Sequence, residues 1–297
     1  MKLLSTHSGT EGSGSSGSSM SGSKRWRVNG MLIAGGVILL PLVLMAVFAS
    51  LMPLLDPLSI DASQQLLPPS WSHPFGTDNF GRDVLARTIY GARISLRVGL
   101  GSMLLTAFVG IFFGVVSGWY KWADAVIGRF TDSLMIFPGF VLAIMIMAAI
   151  GPSEFNVVLS VAVLYIPQVI RTVRASIVEF RDAEFVEAAR TVGVGDFRLL
   201  FVHMFPKAAG PVMVQLSFGF AWAVLVEAGL SFLGLGTPPP APSWGNMIAE
   251  ARDFIRTAWW LITIPGGMIT LAVLGLNLIG DGLRDMLDPR LKNRGVL

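Results

Sequence analysis

RDAEFVEAARTVGVGDFRLLFVHMFP, residues Arg181 to Pro206, is both charged and apolar at helical spacing and lies between two membrane-length apolar runs. In its first half Phe185, Ala188, Ala189 and Val192 fall at i, i+3, i+4 and i+7, one stripe of a helix. Asp182, Glu184, Glu187 and Arg190 lie largely off that stripe. The spacing predicts an amphipathic helix of about three turns. Gly193-Val194-Gly195 then breaks it, because glycine tolerates the positive φ that ends a helix. Asp196 is the expected N-cap of a second helix, whose apolar residues Phe197, Leu200, Phe201, Met204 and Phe205 repeat with the same period. The expectation is a helix-turn-helix wedge at a membrane surface.

The rest of the chain supplies the membrane. A chain of 297 residues with 53% hydrophobic and 14% charged residues reads as polytopic rather than soluble. Six apolar runs are expected to span: 31–51, 96–119, 134–150, 157–173, 208–232 and 259–279. This divides the chain into a disordered Ser/Gly-rich tail (1–30), a first span (31–51), an extracytoplasmic loop (52–94), a five-helix core (95–283) containing the wedge (181–206), and a terminal tail (284–297). The first run is longer than a signal-peptide core and lacks a convincing cleavage site, so it is read as a retained span.

On the reading that both termini share a side, that side collects 16 of the 22 lysines and arginines. The positive-inside rule makes it cytoplasmic, and the wedge with it.

Chemistry is largely excluded. With no cysteine there is no disulfide or thiolate metal site, and His7, His73 and His203 fall on separate segments, so neither a metal centre nor a catalytic set is expected. None of the five lysines follows a glycine, which rules out a phosphate-cradling G-x-x-x-x-G-K-[ST] loop. No run of basic residues interleaved with aromatics points to nucleic acid.

Other features carry two readings each. Asp78, Arg82 and Asp83, in a glycine-punctuated loop, suit a salt-bridged extracytoplasmic cap or a contact with a substrate-delivering protein. Pro167 would kink the fourth span, whether for packing or to line a pathway. Glu227 lies near the outer end of the fifth span, where an unpaired carboxylate costs ~2.5–3.5 kcal/mol. It suits a structural or gating hydrogen bond, a pathway or proton coupling. Gly110, Gly114 and Gly118 line up a groove for close helix approach. Ser243 to Met247 is expected to start a short external amphipathic segment.

Glu187-Ala188-Ala189, three residues, Gly193, nine residues and a four-residue ending, His203 to Pro206, in the place of hydrophobic-x-Leu-Pro resemble the coupling loop of ATP-binding-cassette importer permeases. The chain is similar to the shorter permease subunit of the dipeptide, oligopeptide and nickel transport family, and residues 73–85, 90–96, 230–236 and 277–290 resemble it too. It departs from the pattern at His203 and Phe205, where aliphatic residues are expected.

The resemblance implies an all-α type I importer permease in the bacterial inner membrane. The implied partners are a homologous second permease, two ATPase subunits or domains that bind ATP and Mg, an extracytoplasmic solute-binding protein, and membrane lipid. Glu187, Ala188, Ala189, Gly193, Asp196 and Pro206 would form the ATPase-coupling surface. Peptide is the first implied substrate, ahead of nickel complexes, glutathione or another small solute. A proton-coupled secondary transporter is the alternative outside the family.

Overall fold

The computed structural model describes residues 30–181 and 183–287. Of the tails expected over 1–30 and 284–297, residues 1–29 and 288–297 lie outside the described residues, as do Asp182 and the side chains of Arg190, Phe201, His203 and Lys207, whereas Gly30 and residues 284–287 continue the neighbouring apolar runs as helix. No strand occurs among the described residues, and a single isolated bridge joins Thr77 to Asp83.

The long helices are α1 (Gly30–Phe48), α2 (Val84–Trp119), α5 (Glu154–Arg181), α8 (Phe205–Phe232) and α10 (Trp260–Leu287). Each is long and apolar enough to cross a membrane. Between them lie α3 (Lys121–Met135), α4 (Gly139–Ile150), α6 (Glu184–Thr191), α7 (Asp196–Arg198) and α9 (Trp244–Glu250).

Several sequence boundaries shift. α2 begins at Val84 rather than near Leu96, because Asp83 caps it by accepting the Ala86 N–H, and Arg87 and Arg93 are carried on helix rather than loop. The polar link at Lys121, Asp124, Arg129 and Asp132 is itself a helix, α3, held to α5 by Arg174–Asp124 and Arg171–Asp132 ion pairs. The expected third span is α4 alone, 12 residues, bent 91° from α3 across Ile136-Phe137-Pro138. At 1.5 Å per residue α4 covers about 18 Å, short of the ~30 Å hydrocarbon, so a sixth crossing would need the bent pair α3 and α4 together. Proline disfavours the α conformation in the residue before it and lacks the N–H that would continue the helix, which accounts for the break.

The segment after Ser243 is not a surface helix. α9 is buried among α2, α8 and α10: Trp244 is fully buried and its Nε1 donates to Thr88 O at 3.0 Å.

Lipid tails are as apolar as leucine, so helix pairing inside a bilayer rests on close packing rather than on hydrophobic burial. α2 and α5 show this. A Cβ on Gly110, Gly114 or Gly118 would stand 2.7, 2.6 and 2.6 Å from Val169, Val173 and Ile177 respectively. Three glycines and three β-branched residues thus repeat in step, four apart on each helix. The antiparallel seam of α1 with α10 uses the same device at Gly35 and Gly282, which face Ile279 and Leu32.

Gly114→Ala is expected to destabilise the protein by about 1–3 kcal/mol through overpacking. Gly128→Ala on α3, whose added Cβ meets nothing within 4 Å, should not. Denaturant titration in detergent checks the pair.

Candidate functional site

The wedge starts where α5 ends. Arg181 Nη1 donates to Gly118 O at 3.3 Å, and Ala183 N donates to Phe180 O at 3.2 Å, turning the chain into α6. α6 ends in a Schellman arrangement: Gly193 has φ +83° and the Val194 N–H reaches Ala189 O at 3.0 Å. Val194 and Ala189 also both pack on the core, the apolar contact that accompanies this cap.

The face of α6 that turns inward carries Val186, which is buried, and Ala189, which is half-buried. The expected stripe therefore divides. Phe185, Ala188 and Val192 are exposed, Val192 at 84%. They share the outer surface with Glu184, Glu187 and Phe197, the last 76% exposed.

Asp196 is not an N-cap. Gly195 takes that position without a side-chain bond, and the Asp196 carboxylate instead accepts the Trp119 indole N–H at 3.1 Å. The expected second helix is no separate unit either. α7 passes through a π-helical turn, Leu199–Met204, into α8, where Pro206 occupies the first turn. Pro206 cannot donate back to Val202, and the wider turn lies where that bond is missing. Leu199, Leu200 and Met204 are buried in one core with Trp119, Val173 and Ile177.

At the opposite end of α2 the acidic and basic residues of the loop form a clasp. Asp78 Oδ1 accepts the Phe80 and Arg82 N–H groups at 2.8 and 2.9 Å, while Oδ2 pairs with Arg82 Nε at 2.6 Å and with Arg87. Both arginines continue to Glu250 of α9, at 2.6 and 3.1 Å. Asp83 Oδ2 meets His73 Nδ1 at 2.8 Å, and His73 Nε2 meets Gln64 Oε1 at 2.6 Å. The Gln64 amide is oriented by its bond to Asp61. The Ser63 hydroxyl and N–H hold the Asp61 carboxyl below its ordinary value.

Glu227 is fully buried, accepting from Ser95 Oγ at 2.8 Å and Ser231 Oγ at 2.7 Å. Pro167 is buried within α5. Close to it lies a polar cluster that sequence reading missed. Gln215 Nε2 of α8 donates to Tyr165 OH at 3.1 Å and to Gln168 Oε1 at 3.2 Å, both on α5. Neutral amides inside apolar runs leave no charge signal, and only their shared depth in neighbouring helices brings them together. Among the described residues no group of acidic or histidine side chains is placed to hold a metal ion.

The family model for the binding-protein-dependent transport system inner membrane component matches residues 108–293, a stretch that holds α5, the wedge, α8 and α10. The chain belongs to this family. The permease is 46% identical over 261 residues to a peptide transport system permease protein of Brucella abortus, covering 88% of each chain. It is 41% identical over 271 residues to the dipeptide transport system permease protein DppC of Alkalihalophilus pseudofirmus, covering 91% of this chain and 89% of the other. The di/tripeptide transport system permease protein DppC of Pseudomonas aeruginosa is 41% identical over 268 residues, with 88% of both chains covered. The permease is thus a multi-pass inner-membrane transport protein. Of its clasp, Asp78, Arg82 and Arg87 lie ahead of the stretch that the family model matches, and Glu250 lies within it.

Asp78→Ala would leave Arg82 and Arg87 facing a single carboxylate, with Arg87 only 2% exposed. Removing one partner of such a buried set costs about 3–5 kcal/mol. The expected outcome is faster hydrogen exchange across residues 76–90 with the wedge unchanged, read by mass spectrometry.

Proposed function

We propose that this permease is a transmembrane subunit of an ATP-driven importer for dipeptides and oligopeptides. It works with a homologous second permease, two ATPase subunits or domains and an extracytoplasmic solute-binding protein. Its relatives' names supply the substrate class. Both termini and the wedge face the cytoplasm, in keeping with the distribution of lysine and arginine. ATP and Mg bind to the partner ATPases.

The observation that carries the reading is the two-sided wedge. Its inner side, through Val186, Leu199 and Met204, is packed into the core of the long helices. Its outer side presents Val192 and Phe197 beside Glu184 and Glu187. A soluble subunit that seats on this outer face gains apolar contact flanked by acidic groups, and any displacement of the wedge displaces α2, α5 and α8. Glu187 makes the polar contacts there, Ala188 permits close approach, and Gly193, Asp196 and Pro206 fix the shape. Substrate passes between the two permeases as the ATPases close and reset, and no covalent step occurs in this chain.

Glu227 is assigned as a pin between α2 and α8 rather than a proton site, because two serine hydroxyls already meet its carboxylate. Pro167 and the Tyr165–Gln168–Gln215 cluster are assigned to the gate region between α5 and α8.

Two substitutions test the coupling. A β-branched residue is a steric outlier at the φ of +83° that Gly193 adopts, so Gly193→Val should distort the turn. Glu187→Arg reverses the charge at that position and cancels that of Glu184 on the outer face. Both should abolish substrate-stimulated ATPase activity of the assembled complex while membrane insertion is retained. Wild-type protein purified in mild detergent should carry a second permease and ATPase subunits. Normal activity in both variants would end the coupling assignment.

A further inference from the structure

A cavity of about 350 Å³ opens between α1, α2 and α8. Leu39, Val43 and Val47, at i, i+4 and i+8, form its α1 wall, faced by Leu100 of α2 and Phe220 of α8. Two guanidinium groups also line it, Arg93 and Arg97, one turn apart on α2. Arg93 Nη1 donates to the neutral Ser50 hydroxyl at 2.8 Å, and Arg97 Nε pairs with Glu154 Oε1 at 2.8 Å. Two positive charges thus stand against one carboxylate, and the Arg97–Glu154 pair is 59% and 35% exposed, open to a further ligand.

Depth identifies the ligand. Arg97 lies 22 residues before Trp119, which already meets the polar wedge. That interval is about 33 Å of helix against a hydrocarbon thickness of ~30 Å, which sets Arg97 at one headgroup level and Arg93 a turn beyond it. The groove descends from there to Leu39, about 14 Å below the end of α1, roughly the depth of one leaflet.

The geometry points to a phospholipid site: an anionic phosphodiester headgroup held between Arg93 and Arg97, with an acyl chain laid in the groove between α1, α2 and α8. Guanidinium forks match phosphate oxygens in shape and charge, and the one uncompensated positive charge equals the single negative charge of a phosphatidylglycerol headgroup. The leaflet is the one on the clasp side of the membrane. That this is the outer leaflet rests on the orientation proposed above, whereas the site itself does not.

The complex purified in mild detergent would be incubated with micelles containing phosphatidylglycerol or phosphatidylcholine, and the retained lipid read by native mass spectrometry. Wild type is expected to keep phosphatidylglycerol in preference to phosphatidylcholine. The double variant Arg93→Gln/Arg97→Gln is expected to lose it. Leu100→Trp should also lose it, since it fills the groove at a half-exposed position and leaves both arginines in place. Assembly of both variants is verified by gel filtration.

Undiminished phosphatidylglycerol on either assembled variant, or equal retention of phosphatidylcholine by wild type, overturns the site. Displacement by soluble glycerol phosphate at the same concentration would mean a headgroup pocket without an acyl-chain seat, and would also overturn it. Because the chain has no native cysteine, Leu100→Cys reports on the groove alone. Cross-linking of that residue to another polypeptide would show that protein, not lipid, covers the groove. None of these readouts depends on transport or on ATPase stimulation.

Discussion

The seam between α2 and α5 is the contact on which the rest of the molecule depends. Gly110, Gly114 and Gly118 receive Val169, Val173 and Ile177 in strict order, so neither helix can slide without driving a β-branched side chain into backbone. In a bilayer, where burial gives little net drive, such interlocking sets position. The seam also continues past the spans. Gly118, its last glycine, offers its carbonyl to Arg181, and the next residue, Trp119, donates to Asp196. The wedge is therefore an extension of the α2–α5 unit. A force applied to its outer face is delivered to both helices at once.

α2 carries that connection further. Its 36 residues extend about 54 Å, more than the hydrocarbon requires, and the excess lies on the clasp side. Asp83 caps the helix there, and Arg87 on its first turns joins Asp78 and Glu250. Two carboxylates opposite two guanidinium groups make the buried part of the clasp neutral, and backbone N–H groups complete the coordination of Asp78. A buried set of this kind stabilises less than an apolar core of equal volume, yet it tolerates only one arrangement. Through Glu250 it ties α9, and through α9 the clasp-side ends of α8 and α10, to the same rod.

The legible part of the sequence was the part that depends on local pattern. The glycine ladder on α2, the turn at Gly193 and the long apolar runs are one-dimensional signals. The unread part depends on direction. Periodicity places Phe185, Ala188 and Val192 on one side of α6 but does not say which side faces the core, and Val186 proves to be the inward residue. A hydropathy window counts residues regardless of path, so a 91° bend at Phe137-Pro138 passes as one span. Arg87 and Arg93 made the first turns of α2 look like loop, because their partners, Asp78 and Ser50, lie elsewhere in the chain. The glutamines of the α5–α8 cluster were invisible for the same reason: each is unremarkable until the other helix is beside it.

The junction of wedge and α8 has a different character from the seam. α8 is pinned to α2 in its clasp-side half, where Glu227 meets Ser95 and a Cβ on Gly99 would strike Phe220. At its other end α8 grows out of the wedge through the π turn Leu199–Met204, whose i→i−5 bond from Phe205 to Leu200 replaces tighter α-helical pairing. π-helical turns are rare, occur mostly as single turns within α-helices and are frequent at functional sites. α8 is held to the α2–α5 body along its length, by Glu227 with Ser95 toward the clasp and by Gln215 with Tyr165 and Gln168 toward the wedge. The π turn therefore lies between the wedge and the first polar contacts of α8 with α5, those of Gln215 with Tyr165 and Gln168, so a change in its winding would reach that cluster before the Glu227 pin.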